Sequence, residues 1–173
     1  MKLLFLAPLG FITFMAFSTH IDTPTLRKNF YASVNDGKKA RLFLSELEKN
    51  KDDLSPIEHG YRAAVNMVMA NHVFNPYSKF KYFIDGKNEL EVAISANTKN
   101  VELKLIRFAI QSNVPSFLGY HSNIMEDKIV LIENLSLLAN EKQPDTELVK
   151  IMKQYLTDSK YCTEAEKQSI KKM

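Results

Sequence analysis

Apolar residues recur at three- and four-residue intervals through almost the whole chain, and no segment alternates convincingly with a period of two. A sheet with one buried face needs that alternation, so helices are left as the elements that can bury these side chains. Glycine and proline are scarce, five and six residues in 173, and the periodic segments run long between few breaks. "TPTLRKNFYASVN" starts with Thr23 as a cap and Pro24 in the first turn, and spaces Leu26, Phe30 and Val34 by four. "DGKKARLFLSELEKN" carries Ala40, Phe43, Leu44 and Leu47 on one stripe. "SPIEHGYRAAVNMVMANHVF" opens on a capping box, with Ser55 as cap, Pro56 at the first position and Glu58 reaching back. "NPYSKFKYFIDGKNELEVAISAN" turns Phe80, Phe83, Ile84, Leu90 and Ile94 one way. "NVELKLIRFAIQSN", "NIMEDKIVLIENLSLLAN" and "PDTELVKIMKQYL" follow, and a second capping box, Thr163 with Glu166, starts a short last helix. The expectation is an all-α chain of seven or eight helices. Short connections make neighbours antiparallel, so the helices are expected to stack as hairpins.

The N-terminus has a different pattern. Lys2 precedes an apolar run from Leu3 to Phe17, and Ala16 and Ser18 are small residues at the positions a signal peptidase reads. The run is short for a spanning helix and contains Pro8 and Gly10. A signal peptide over 1–18 is expected, followed by one α-helical domain over 19–173 that is exported to the periplasm or secreted, with no stable membrane insertion after cleavage. A chain of that size can bury a core without staples. Cys162 is the sole cysteine, which excludes an internal disulfide and reads as a small apolar residue. The formal charge of +3 is spread among interspersed lysines and acids, which gives no electrostatic case for nucleic acid.

"GKNELEVAISANTKNVELKLIRFAI" resembles the second helix of a tetratricopeptide repeat running into the first helix of the next. Gly86, Leu90, Ala93 and Ile94 have the small-large-small-large spacing with which that repeat packs its two helices. The likeness covers one repeat, from Tyr61 to Asn97; the chain has no tryptophan, and Thr98 stands where a proline is usual. The stretch from "NPYSKFKYF" to "FLGY" is also similar to small exported helical proteins of Gram-negative bacteria whose function is uncharacterised. These resemblances imply a stack of helical hairpins and export, and the second brings no activity.

No catalytic constellation stands out. His59 and His72 are too far apart along one helix to share a metal, His20 lies beside the cleavage point and is expected to be disordered, and His121 has only Glu126 and Asp127 nearby. There is no His-Glu-x-x-His, Cys-x-x-Cys, calcium loop, Gly-x-Ser-x-Gly or phosphate-cradling loop. No cofactor and no metal are expected. The binding candidates are polar ridges on apolar helices: Lys104, Arg107 and Gln111 on one, His59, Arg62 and Asn66 on another. Either both ridges line one groove, with Arg62 and Arg107 holding a carboxylate or phosphate of a partner, or each is a solvated face, with Arg62 paired to Glu58. Between them and the next helix lies "SNVPSFLGYHSNIMEDK", where Asn113 can end a helix, Pro115 disfavours helix before it and Gly119 permits a left-handed turn. Phe117, Leu118 and Tyr120 are too apolar to dangle. They either fold back over the helix ends or offer an edge to a partner, and Tyr120 is the candidate anchor.

Three functions fit these features. The first is a non-catalytic module binding a protein or peptide partner of the cell envelope through Arg62, Asn66, Arg107, Gln111 and Tyr120. The second is a small exported hydrolase with its site between helices, which would bring His59 or His121 beside a carboxylate in a cleft. The third is an envelope protein that self-associates through apolar patches.

Overall fold

The computed structural model describes residues 20–173; the expected signal peptide lies outside them. Every regular element among the described residues is helical, so the all-α expectation holds, with eight α-helices. They are α1 (Thr23–Val34), α2 (Gly37–Glu48), α3 (Pro56–His72), α4 (Pro76–Ala96), α5 (Val101–Asn113), α6 (Ile124–Ala139), α7 (Thr146–Asp158) and α8 (Glu164–Lys172). None is long and apolar enough to cross a membrane.

Helix starts follow the local chemistry closely. Ser55 with Glu58 and Thr163 with Glu166 form the two capping boxes. One cap differs by a residue: Asp22, not Thr23, accepts from the Thr25 amide, and Thr23 is already helical. Two adjacent residues competent to cap cannot be ranked by type alone, and a carboxylate at a helix start has the extra benefit of the helix dipole. His20 also departs from expectation. Its Nδ1 lies 2.8 Å from Glu58 Oε2, and the Ile21 amide donates to Glu58 Oε1 at 2.8 Å. The capping carboxylate thus holds the incoming chain as well as its own helix. Burial raises the pKa of Glu58, but donors from Ser55, Ile21 and His20 together bring it below the usual carboxylate range.

Helices adjacent in sequence pack on one another, most extensively α3 on α4. Gly86 lets α4 come so close that a Cβ there would stand 2.6 Å from the Ala63 carbonyl oxygen and 2.8 Å from Met67 Cγ. Gly60, on the same α3, makes room for Leu103 of α5, whose Cδ2 would lie 2.2 Å from a Cβ. The core falls into two clusters. α1–α4 bury Leu26, Phe43, Leu47, Tyr61, Phe83 and Leu90 together with Leu103 and Ile106 of α5. α6–α8 bury Leu131, Leu135, Met152, Leu156, Cys162 and Ile170 against Leu105 and Phe108 of the same α5. α5 is therefore the shared wall, which explains why it is apolar nearly all round.

Candidate functional site

Arg27 of α1 is 1 % exposed, and its guanidinium is surrounded by carboxylates. Nε and Nη2 donate to the two oxygens of Glu102 on α5, both at 2.9 Å. Nη1 and Nη2 donate to Asp145, the cap of α7, at 3.1 and 2.9 Å. The Tyr61 hydroxyl of α3 closes the cluster by donating to Glu102. Burial opposes the charge of Arg27, but the two carboxylates hold it protonated, well above the ordinary arginine range. Desolvation, then the Glu102 charge, push the Tyr61 phenol far up, so it is a fixed donor. The cluster joins α1, α3, α5 and α7.

The ridges read from sequence serve the same kind of internal purpose. Arg107 is buried; it forms a two-pronged pair with Asp127 of α6 at 2.7 and 2.8 Å and reaches Glu91 of α4 at 2.8 Å. Gln111 is fully buried and accepts from the Asn123 amide at 3.2 Å, across the start of α6. Tyr120 is buried too, its hydroxyl donating to Glu91 at 2.6 Å and its ring edge-on to Phe83. Arg62 pairs with Glu89 at 2.6 Å and Glu48 at 2.9 Å rather than with Glu58, and Asn66 is half-buried on the same helix. Glu89 and Glu91 point about 200° apart around α4, at ~100° per residue. The Arg62 ridge and the Arg107 ridge therefore reach opposite sides of α4 and do not line one groove. Their partners come from helices distant in sequence, which spacing within one helix cannot reveal.

The histidines remain dispersed. His59 Nδ1 lies 2.8 Å from Glu89 Oε1, beside Arg62. His121 and His72 meet the backbone oxygens of Val114 and Val34. Among the described residues, no three of His, Cys, Asp and Glu are grouped so as to hold a metal.

The concave site lies elsewhere. A groove of about 770 Å³ runs between α1, α3, α4, α5 and α7 and under the corner after α5. Its floor is built from ridges with helical spacing: Phe30, Tyr31 and Val34 on α1, Ala64, Val68 and Asn71 on α3, and Ile106, Ala109, Ile110 and Asn113 on α5. Many of these apolar side chains are half-exposed, because no further element among the described residues covers them. The Arg27–Glu102–Tyr61 cluster forms part of the wall with its polar groups already paired, and Ile151 and Tyr155 of α7 form another part. Pro76, Lys79 and Phe80 at the start of α4 and Phe117 of the corner complete the lining. Among the described residues, no histidine, cysteine, serine or aspartate lines it. A second cavity of about 660 Å³ shares Tyr31, Asn113, Ile151 and Tyr155 with the groove, and Ser112, whose Oγ is buried without a partner, lines it.

The corner "SNVPSFLGYHSNIMEDK" packs Val114, Leu118 and Tyr120 against the core, as the fold-back alternative has it. α5 ends at Asn113, Ser116–Leu118 make one 3-10 turn, and Gly119 takes φ 62°, the left-handed conformation that glycine adopts without penalty. Leu118 and Tyr120 fold back over the helix ends, while Phe117 stays 86 % exposed on the groove's lip. Phe80, 56 % exposed, stands on the same lip, and Phe74, 99 % exposed, precedes α4 by two residues. The sequence reading named neither Arg27 nor the floor residues as site. The legible signal was "FNPYSKF", three aromatics in seven residues at a helix start, more than one buried stripe requires.

Among the described residues the fold is all-α and leaves an apolar groove between α1, α3, α4, α5 and α7. No protein-family model matches the chain, and no curated protein or solved structure matches it either.

Proposed function

We propose that the protein is an exported, non-catalytic helical module that binds a protein or peptide partner in the groove between α1, α3, α4, α5 and α7. The observation that carries this reading is the uncovered apolar floor under a lip of exposed aromatics. Phe80 and Phe117, which line the groove, leave about 280 Å² of aromatic side chain in solvent, at ~200 Å² for a whole one. The groove's volume lies within the range of binding pockets, and its lining combines mostly apolar side chains with a few polar ones. Binding is assigned to this groove rather than to Arg62, Asn66, Arg107, Gln111 and Tyr120, none of which lines it.

The test is affinity capture from cell-envelope extract with three baits: the wild type, Ala109→Phe, which fills the floor, and Arg62→Ala. Each is first shown by circular dichroism and urea denaturation to be folded. A partner held by the wild type and Arg62→Ala but lost by Ala109→Phe supports the groove. A partner lost only by Arg62→Ala would return binding to the α3 ridge.

A further inference from the structure

We infer that α6, α7 and α8 form one arm that pivots on α5 and is latched against α1 by two carboxylates of α7, Asp145 and Glu147, on Arg27. The inference concerns the chain alone and does not depend on what the groove binds.

The pin lies where α6 starts. Arg107 of α5 makes its two-pronged pair with the buried Asp127 there, and Gln111 holds the Asn123 amide one turn earlier. Lys128 ties α8 to α6, donating to Glu166 at 2.8 Å and to the Tyr161 carbonyl at 3.2 Å. α7 shares one buried core with both helices. The three therefore move as a body. From Asp127 to the end of α6 the arm is about 18 Å long, at ~1.5 Å per residue. A turn of about 10° at the pin carries its far end, where α7 starts, by about 3 Å, the scale on which packed bodies rotate and slide.

The seam that such a turn opens lies between α1 and α7, and it is lightly held. Leu26 and Phe30 of α1 belong to one core cluster, Leu148 and Met152 of α7 to the other, and no described residue of α1 packs into the second. Both cavities lie along this seam and share Tyr31, Asn113, Ile151 and Tyr155, so little apolar packing is lost when it widens. Polar contacts span it. Arg27 meets Asp145 at 2.9 and 3.1 Å and Glu147 at 3.4 Å, and the phenols of Tyr31 and Tyr155 face each other.

Release strands no charge. Arg27 keeps both oxygens of Glu102 at 2.9 Å, while Asp145 and Glu147, with side chains 40 % and 55 % exposed, return to water. One guanidinium faces three carboxylates, so Glu102 repels the two on α7 and weakens their hold. Opening joins the two cavities and moves Ile151 and Tyr155, one wall of the groove, away from α1.

Double electron–electron resonance tests this in a Cys162→Ala background. Nitroxides at Lys28→Cys and Lys150→Cys, exposed positions of α1 and α7, report the seam. A second pair, Val92→Cys and Met125→Cys, reports the pin between α4 and α6. The releasing variant is Asp145→Ser with Glu147→Ala, in which serine still caps α7 but neither side chain reaches Arg27. The expected result is a seam distance longer by about 3 Å or more with the pin distance unchanged. Salt at ~1 M, where charges are screened beyond about 3 Å, is expected to shift the wild type the same way, which keeps the test open if the variant does not fold. A seam shift from either perturbation with the pin fixed supports the arm. A seam that neither alters would overturn the latch. Equal lengthening at seam and pin would overturn the pivot, because the whole bundle would then be loosening.

Discussion

Replacing Arg27 by methionine is expected to destabilise the protein more than replacing Arg27 and Glu102 together. Arg27 is 1 % exposed and Glu102 6 %, so the single substitution leaves a buried carboxylate whose remaining partner is the Tyr61 hydroxyl. Breaking one side of a buried pair generally costs about 3–5 kcal/mol. Asp145 loses two hydrogen bonds as well, but its side chain is 40 % exposed and still caps α7 through the Leu148 amide, so water replaces most of what it gave up. In Arg27→Met/Glu102→Met no charge remains buried. The residual cost is an unpaired Tyr61 hydroxyl and a lost acid at the start of α5, together about 1–3 kcal/mol. Urea denaturation at pH 7 of wild type, both singles and the double gives the cycle, with a coupling of about 2 kcal/mol or more expected between the two positions. A double variant as unstable as the sum of the singles would refute the view that the arginine is retained chiefly to neutralise Glu102.

Gly86→Ala should cost about 1–3 kcal/mol, because its Cβ meets the Ala63 backbone carbonyl at 2.6 Å, and α3 and α4 must separate. Gly60→Ala should cost less, since Leu103 Cδ2 can rotate aside while alanine favours the helix; urea midpoints decide the order. For Asp145, as for Glu58, burial raises the pKa but hydrogen bonds, chiefly from Arg27, bring it below the usual range. Their contribution is therefore complete above the unfolded values near pH 4 and is lost as pH falls through the folded ones, so the urea midpoint should decline below about pH 4. Glu58→Gln should lower the midpoint at pH 7 and make that acid decline shallower. Burial, then the Glu166 charge, raise the pKa of the Cys162 thiol. At pH 8 it should resist Ellman's reagent in the folded protein and react fully in urea.

Helix identity was legible wherever local chemistry decides it. The two capping boxes, the prolines at helix starts and Gly119 fix their elements through neighbours within four residues. The site was not legible, because its charges are settled over long range. Lys104 and Arg107 read as an exposed ridge from α5 alone, yet they are covered by Glu126 and Asp127 of α6 and, for Arg107, by Glu91 of α4. Conversely, Phe30 reads as part of the apolar stripe of α1, and it packs on the core with Val68 and Ile110, yet all three are only partly buried where the groove runs. A clue was available: Arg27 beside Leu26 on the apolar stripe of α1, and Glu102 on the nearly all-apolar α5, are opposite charges in places where neither can stay unpaired.

Arg27 and Asp145 are separated by 118 residues. At about 5–20 residues per second, a ribosome needs roughly 6 to 24 s after making one to deliver the other. Until then the guanidinium has no carboxylate from α7, and the groove lacks the wall that Ile151 and Tyr155 supply. The segments of α1 to α4 are made early, but the last wall of the groove is made only in the final stage of synthesis.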